Sequence, residues 1–446
     1  MKKKLILLIL LFNINLLLGQ WTNETQLPGG NNPPGINNIC VADSIHVWVI
    51  GYYSNTDSPY VAQRTLTGWK SVSIDGIRNN NPICIAAKDS LKAWIGMSNG
   101  KIYYTSNGGI NWILQVNTGG NGFINDIKFS KSNANYGYAF SDPPNGTGTP
   151  FKIYKTTNDG LNWIEYSPLF GGTYDGASRS GCVTDSMHFW FGLAHGLNDI
   201  PKVAFTSNGG INWSTRTLPG QSYFVQGVQF SSDNNFGLVT YIPNTNQPPI
   251  YKTTNSGLNW IFSYFIPTNL PSVQNFINIY NSTNWYYSTL NEIARSSDNG
   301  TNWNNMVISL ESGEQVLYMD IVSEGDMIFG WAITNLRNIF YYREPFIPIG
   351  INSNNSLIPK DFNLHQNYPN PFNPLTKINY SLPKATRVHI RVYDLLGRLV
   401  KTLVNEFKEA GSYDVQFDGT GFASGVYFYR IEAGNFVVSK KMVLVK

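Results

Sequence analysis

Six side chains of the 446-residue chain have types suited to binding or chemistry and lie where no strand pattern claims them: Asp142, Tyr174, Asp175, Arg179, His195 and Asp199. They fall in Ser141–Pro150 (SDPPNGTGTP), Leu169–Gly181 (LFGGTYDGASRSG) and Ala194–Pro201 (AHGLNDIP), all rich in turn-forming residues. Two of the carboxylates, if ~5–9.5 Å apart across a scissile bond, could act as the acid and base of glycoside hydrolysis. Arg179 close to Tyr174 and Asp175 is also the mixture that a polar glycan or a peptide uses, with no chemistry required. The bland alternative is that these are solvated loop residues, because loops are polar by default. His46 and His188 occupy matching phrases, Asp43-Ser-Ile-His46 and Asp185-Ser-Met-His188, and read as turn residues; His195 has no such twin.

Cys40, Cys84 and Cys182 are an odd number and sit in similar phrases, Ile-Cys-Val, Ile-Cys-Ile and Gly-Cys-Val. A cysteine recurring at one place in a repeat reads as a small buried apolar residue. A Cys40–Cys84 bridge is the alternative, although equivalent positions on neighbouring units seldom come within the ~5.5 Å needed. Without a Cys-x-x-Cys pair or a His/Cys cluster, neither metal nor cofactor is expected.

The elements that must position these residues are announced by a phrase that returns five times. It reads Thr105-Ser-Asn107-Gly-Gly109-Ile-Asn-Trp112, Thr156-Thr-Asn158-Asp-Gly160-Leu-Asn-Trp163, Thr206-Ser-Asn208-Gly-Gly210-Ile-Asn-Trp213, Thr253-Thr-Asn255-Ser-Gly257-Leu-Asn-Trp260 and Ser296-Ser-Asp298-Asn-Gly300-Thr-Asn-Trp303. A worn copy ends at Thr67-Gly-Trp69, and Trp21 stands alone near the start. Tryptophans at 21, 69, 112, 163, 213, 260 and 303 recur at a mean interval of 47 residues. Periods of ~40–50 residues with several short strands each mark propeller blades. Within one unit, Trp112–Val116, Phe123–Phe129, Tyr136–Phe140 and Phe151–Thr156 read as four strands. The chain is therefore expected to be all-β, with a seven-bladed propeller over residues 20–345. In each phrase the third residue is expected to bond an N–H two residues on, the glycine to accept positive φ, and the tryptophan to bury its ring. Trp21 would open the outermost strand of the last blade and close the ring.

This phrase resembles the Asp-box or BNR repeat (Ser-x-Asp-x-Gly-x-Thr-Trp) of sialidases, sortilin-type receptors and xyloglucan-degrading glycosidases. It is also similar to repeats in propellers related to photosystem II assembly factors. Only the copy at Ser296-Ser-Asp298-Asn-Gly300 keeps both Ser and Asp, and all five have Asn before Trp. The resemblance implies the propeller fold. A sialidase would show Phe-Arg-Ile-Pro and an arginine triad, and no Phe-Arg-Ile-Pro is present.

In such blades the Trp phrase joins strands three and four, so its rim is committed to structure. The insertions Tyr52–Tyr60, Ser141–Pro150, Ala194–Pro201 and Ile242–Pro249 join strands two and three on the opposite face, which the Leu169–Gly181 link also reaches. That face is the expected binding surface. Besides the six residues above, it would carry Asp57, Tyr60 and Asn145.

Residues 1–19 (MKKKLILLILLFNINLLLG) have the layout of a secretory signal, too short and interrupted for a membrane span. Residues 20–360 carry 18 basic and 21 acidic side chains, and 361–446 carry 11 and 7, so no basic field for nucleic acid is present. Residues 346–360 read as a linker. Residues 361–446 alternate as a small antiparallel sandwich of about seven strands. They resemble the type A C-terminal sorting domain of type IX secretion cargo, through Asn367-Tyr-Pro-Asn-Pro-Phe-Asn-Pro374, Val392-Tyr-Asp-Leu-Leu-Gly-Arg398, Ala423-Ser-Gly-Val-Tyr-Phe-Tyr-Arg430 and Lys440-Lys-Met442. That resemblance implies the type IX machinery as partner and an extracellular or cell-surface address. It also implies removal of the domain, with release or attachment at the surface. The function expected is non-catalytic recognition of a glycan, peptide or surface protein, with a secreted glycoside hydrolase as the alternative.

Overall fold

The computed structural model describes residues 20–445 except 30–33, 73, 75–76, 78–79, 120–121, 171–173, 195–199, 221, 244–246, 267–274, 279–282, 326, 346–361, 368–369 and 409–410. The expected signal (1–19) and linker (346–360) lie outside the described residues, as do His195 and Asp199. The chain divides into two compact units at residues 349 and 350.

In the first unit, the described strands form seven antiparallel blades. The first comprises Gly35–Val41, Val47–Tyr53, Ser58–Thr65 and Gly68–Val72, paired in chain order. First strands of successive blades touch in a closed cycle: Gly35–Val41, Pro82–Ala87, Ile124–Phe129, Cys182–Val183, Ser222–Phe230, Asn275–Asn278, Val316–Glu324 and back to Gly35–Val41. These strands surround the axis. The last blade is completed by the chain's beginning, since Thr22–Gln26 pairs with Asn338–Pro345. There Trp21 is only 4% exposed and stacks on Tyr342 with ring centroids 5.1 Å apart. Closing the ring this way brings the last blade to four strands.

The tryptophan phrases have the same internal bonding in all five copies. The first residue's hydroxyl accepts the glycine N–H four residues on: Thr105 from Gly109 at 2.9 Å, Thr156 from Gly160 at 2.9 Å, and Ser296 from Gly300 at 2.8 Å. The third residue accepts the N–H of the seventh, as in Asn107 from Asn111 at 3.0 Å and Asp298 from Asn302 at 2.9 Å. This corrects the expectation of a bond two residues on. The turn is wider than a two-residue hairpin, and the initial hydroxyl works with the Asn or Asp. Glycine is required for two reasons. Its φ is positive in every copy (+74° at Gly160), and a Cβ at Gly160 would lie 2.5 Å from the Trp94 ring of the preceding blade. The phrase tryptophans sit on seams between or within blades, with Trp112 edge-on to Trp48 at 6.3 Å and Trp303 beside Tyr287 at 4.9 Å. Early in the second strands of the first four blades is a further aromatic set, Trp48, Trp94, Tyr138 and Trp190, each at most 1% exposed. The sixth residue of each phrase points outward: Ile110, Ile211 and Leu258 are all more than 60% exposed.

The three cysteines are unpaired. Each joins neighbouring first strands. The Cys40 sulfur accepts from Ala87 N at 3.3 Å, Cys84 donates to the Ile124 carbonyl at 3.4 Å, and the Cys182 sulfur accepts from Phe230 N at 3.3 Å. Burial pushes the Cys40 thiol up to about 12 and lifts the other two.

The second unit is a sandwich. One sheet has Asn363–Leu364, Leu375–Leu382 and Gly411–Asp418; the other has Leu399–Lys408, Thr386–Tyr393, Gly425–Ala433 and Phe436–Leu444. Alternating residues of both sheets, including Ile378, Tyr380, Val388, Ile390, Tyr429 and Ile431, fill a common core. The Asn367–Pro374 stretch ties its edges. Buried Asn367 accepts from the Gln366 side-chain amide at 2.7 Å, and donates its N–H to the Tyr429 hydroxyl at 2.8 Å and its side-chain amide to Thr376 at 2.9 Å. Phe372 N donates to the Val443 carbonyl at 2.9 Å.

Candidate functional site

The Leu169–Gly181 link differs from its expected form. Its second half is the first strand of the fourth blade, broken into Asp175–Gly176 and Cys182–Val183, both paired with Phe189–Ala194. Between the halves, Ala177–Gly181 bulges toward the axis, and Arg179 at its crest has φ +61°, the left-handed region that non-glycine residues rarely enter. Gly192 N donates to Ser180 Oγ at 2.9 Å, and Ala177 N donates to the Gly192 carbonyl at 2.9 Å, so the bulge is anchored on its own blade.

The third blade holds it from the other side. Asn125 accepts from Arg179 N through its carbonyl at 3.0 Å and from Ser178 Oγ through its side chain at 2.8 Å. The Asp126 carboxylate accepts from Gly181 N at 2.9 Å. The Asp142 carboxylate accepts from Gly176 N at 2.9 Å and from the Asn125 amide at 2.5 Å. Asp142 therefore props the bulge and is not free to act on a substrate. Burial pushes it up to about 6 in spite of these donors, and the nearby Asp175 carboxylate adds to the rise. Burial also raises Asp175, for which the described residues offer no hydrogen-bonding or ionic partner.

So held, Arg179 reaches across the axis. Its guanidinium donates to the Asn37 carbonyl of the first blade at 2.8 Å and lies 4.7 Å from the ring centroid of Tyr318 in the last. Below it runs an axial cavity of about 610 Å³. Asn38, Arg179 and Gln226 line its end nearer the loops; Lys88, Lys131 and Thr184 line its end nearer the tryptophan turns. Midway, Lys128 stands 3.5 Å from Asp126. Burial works against the Lys128 charge, but Asp126 and Asp320 outweigh it and hold its pKa above the lysine norm. Burial raises Asp126 and Asp320 against the pull of Lys128 and of backbone N–H donors. Asp320 also ties the last blade to the first by accepting from Val41 N at 2.8 Å.

Of the sequence-derived set, the structure brings Asp142, Asp175, Arg179 and Tyr174 to one region. Tyr174 is half-buried, with Lys202 donating to its hydroxyl at 2.6 Å and lying 4.9 Å from its ring centroid. Tyr60 is not on the surface: it is 2% exposed and donates its hydroxyl to the Pro28 carbonyl at 2.6 Å. The Tyr52–Tyr60 insertion is mostly hairpin, with strand pairing out to Tyr53 and Ser58, and Asp57 accepts from Tyr52 OH at 2.9 Å near its tip. Asn145 is exposed. His46 and His188 each bond the aspartate three residues earlier, as turn residues should.

Asn125, Asp126, Lys128 and Asp320 escaped the sequence reading. A signal existed: a polar residue precedes Ile at the same place in three first strands, at Asn38-Ile39, Asp126-Ile127 and Asp320-Ile321. In all three the side-chain oxygen accepts the N–H of that isoleucine, at 2.8, 3.0 and 2.9 Å.

Among known proteins, residues 366–446 match the family of secretion system C-terminal sorting domains. A domain of this kind sends its cargo to the cell surface or the extracellular space. No curated protein matches the chain. Among solved structures, YCF48 bound to D1 peptide is similar over 75% of this chain and 97% of its own, at 15% identity and a TM-score of 0.51. YCF48 from Cyanidioschyzon merolae is similar over 72% and 98%, at 12% identity and a TM-score of 0.51. PorZ, a surface component of the type-IX secretion system of Porphyromonas gingivalis, aligns over 94% of this chain and 61% of its own, at 11% identity and a TM-score of 0.48. The two YCF48 structures share the propeller fold, and the sorting-domain match marks the chain as exported type IX cargo.

Proposed function

We propose that the exported protein recognises an extracellular glycan, peptide or neighbouring surface protein, without catalysis, at the loop-bearing end of its propeller axis. Residues 20–345 form the binding module and 361–446 the disposable address. The observation that supports this reading most is the construction around Arg179. Three side chains of the third blade hold a non-glycine residue in an unfavourable backbone conformation, and the result is one guanidinium at the centre of a seven-fold array. Such over-determined strain is concentrated at ligand sites. Tyr174 and Asp175 precede it on the same segment and supply the ring and the carboxylate of a polar subsite. A peptide is the favoured class, because a propeller of similar fold, YCF48, has been solved with one bound. The hydrolase alternative draws no support from Asp142, whose carboxylate is occupied by scaffold N–H groups.

The test is retention of the full chain on peptide and glycan arrays, followed by the Tyr174→Ala/Arg179→Ala variant. Retention on a defined ligand, weakened at least tenfold in the variant at unchanged melting temperature, is expected. Equal retention by both proteins would refute the site.

A further inference from the structure

The sorting domain carries an apolar projection that its own folding does not use. The turn between Thr386–Tyr393 and Leu399–Lys408 reads Asp394-Leu-Leu-Gly397-Arg398, and its two leucines are 70% and 77% exposed. The turn is rigidly built. Asp394 Oδ1 accepts from Leu396 N at 3.0 Å and Arg398 N at 2.9 Å; Oδ2 accepts from Arg398 Nε at 2.7 Å. Asp394 N donates to the Arg398 carbonyl, Gly397 N donates to the Asp394 carbonyl, and Gly397 takes φ +77°. The inner face of the same strand pair is already satisfied by Val388, Ile390 and Val392, each 0% exposed.

The leucines continue onto the outer face. Leu399, 54% exposed, stands opposite Tyr393, which stands opposite Phe428, which in turn stands opposite Lys441. Arg398, 74% exposed at its side chain, flanks this row. A preorganised knob of two leucines, extended by a leucine–aromatic row and edged by cations, has the make-up of an interface core with a charged rim.

We infer that Leu395 and Leu396 are the element by which the secretion machinery grips this domain, entering an apolar pocket with an acidic rim on a protein of that machinery. The occupant follows from the sorting-domain match, since recognition by the exporter is what such a domain is for. The inference concerns export and is independent of the ligand proposed for the propeller.

The experiment follows the full chain in the producing bacterium by cell fractionation. The Leu395→Ser/Leu396→Ser variant should accumulate in the periplasm, with its exported fraction reduced about tenfold, while the purified protein melts as the native one does. Phe407→Ser and Val437→Ser, which alter side chains 64% and 48% exposed on the same sheet away from the turn, should export normally. Native-level export of the double variant would overturn the inference. So would an equal loss in the two control variants, which would point to general apolar adhesion such as contact with a lipid surface. Should the double variant lose its cooperative melt, Leu396→Asn, a residue suited to turns, is scored the same way: reduced export supports the inference and native export overturns it.

Discussion

The tryptophan turns and the Arg179 bulge solve the same problem in opposite ways. Both bend the backbone into the left-handed region, and both catch the exposed N–H groups with side-chain oxygens. In the turns, hydroxyl, Asn or Asp, glycine and ring all come from eight consecutive residues, and the device is stamped on five blades. In the bulge, the Asp142 and Asp126 carboxylates of the neighbouring blade catch the Gly176 and Gly181 N–H groups, and Asn125 takes the Ser178 hydroxyl on its side chain and the Arg179 N–H on its backbone carbonyl. The local device sets two successive residues at positive φ, a small or polar residue (Gly108, Asp159, Gly209, Ser256 or Asn299) followed always by glycine, and stabilises a rim. The distributed one forces an arginine into that conformation and points it at the axis. A repeated local solution serves the scaffold; a single, assembled one marks the place where one blade departs from its siblings.

The comparison breaks first if the ring does not depend on its closure. Trp21→Ala should cost about 3–5 kcal/mol, the range for a buried tryptophan, and deletion of residues 21–27 should cost more, both read by chemical denaturation. A truncated chain with unchanged stability would remove the ring from the account.

A smaller effect separates the two demands on the phrase glycines. Gly160→Ala should cost roughly 2–4 kcal/mol, from positive φ together with the close approach of Trp94. Gly119→Ala, at φ +78° with open space around it, should cost only about 1 kcal/mol. Equal losses would mean that the seam contact contributes nothing.

The smallest prediction has the opposite sign. Folding raises Asp142 from its ordinary value to about 6, so the folded state disfavours its charge. Its contribution to stability is fully present below pH ~4 and is lost as the pH climbs toward 6. Asp142→Asn keeps an oxygen for Gly176 and Asn125 and removes the charge. It should therefore stabilise the protein at pH 7, on the order of 1–3 kcal/mol, with the gain vanishing near pH 4. A variant that is destabilised at both pH values would show that the ionised carboxylate is what the bulge requires.

The rim was legible because spacing carries it: seven tryptophans at similar intervals give the blade number, and the isolated Trp21 gives the closure. The sandwich was legible from strict alternation, as in Val388-His-Ile-Arg-Val392. The bulge was not. Asp142 looked like a catalytic candidate because it stands among Pro, Gly and Asn in a long loop, and nothing local says that its partners are Asn125 and Gly176. Asn125 and Asp126 lie inside a short strand, Ile124–Phe129, where a polar pair reads as noise until the neighbouring blade supplies its N–H groups. Tyr60 erred the other way, since an aromatic beside a turn reads as exposed, whereas its hydroxyl reaches the Pro28 carbonyl just after the strand Thr22–Gln26. Sequence distance, rather than chemistry, separates what could be read from what could not.

The most direct test of the Arg179 assembly leaves Arg179 itself untouched. Asn125→Ala removes the side chain that binds Ser178 and Asp142, and its effect is measured as retention of the full chain on whichever array ligand the native protein selects. The account predicts that retention falls nearly as far as in the Tyr174→Ala/Arg179→Ala protein, with hydrogen exchange accelerated at the Gly176–Gly181 amides. Native-level retention with those amides loosened would contradict it, because the guanidinium would then be working without the frame that is supposed to aim it.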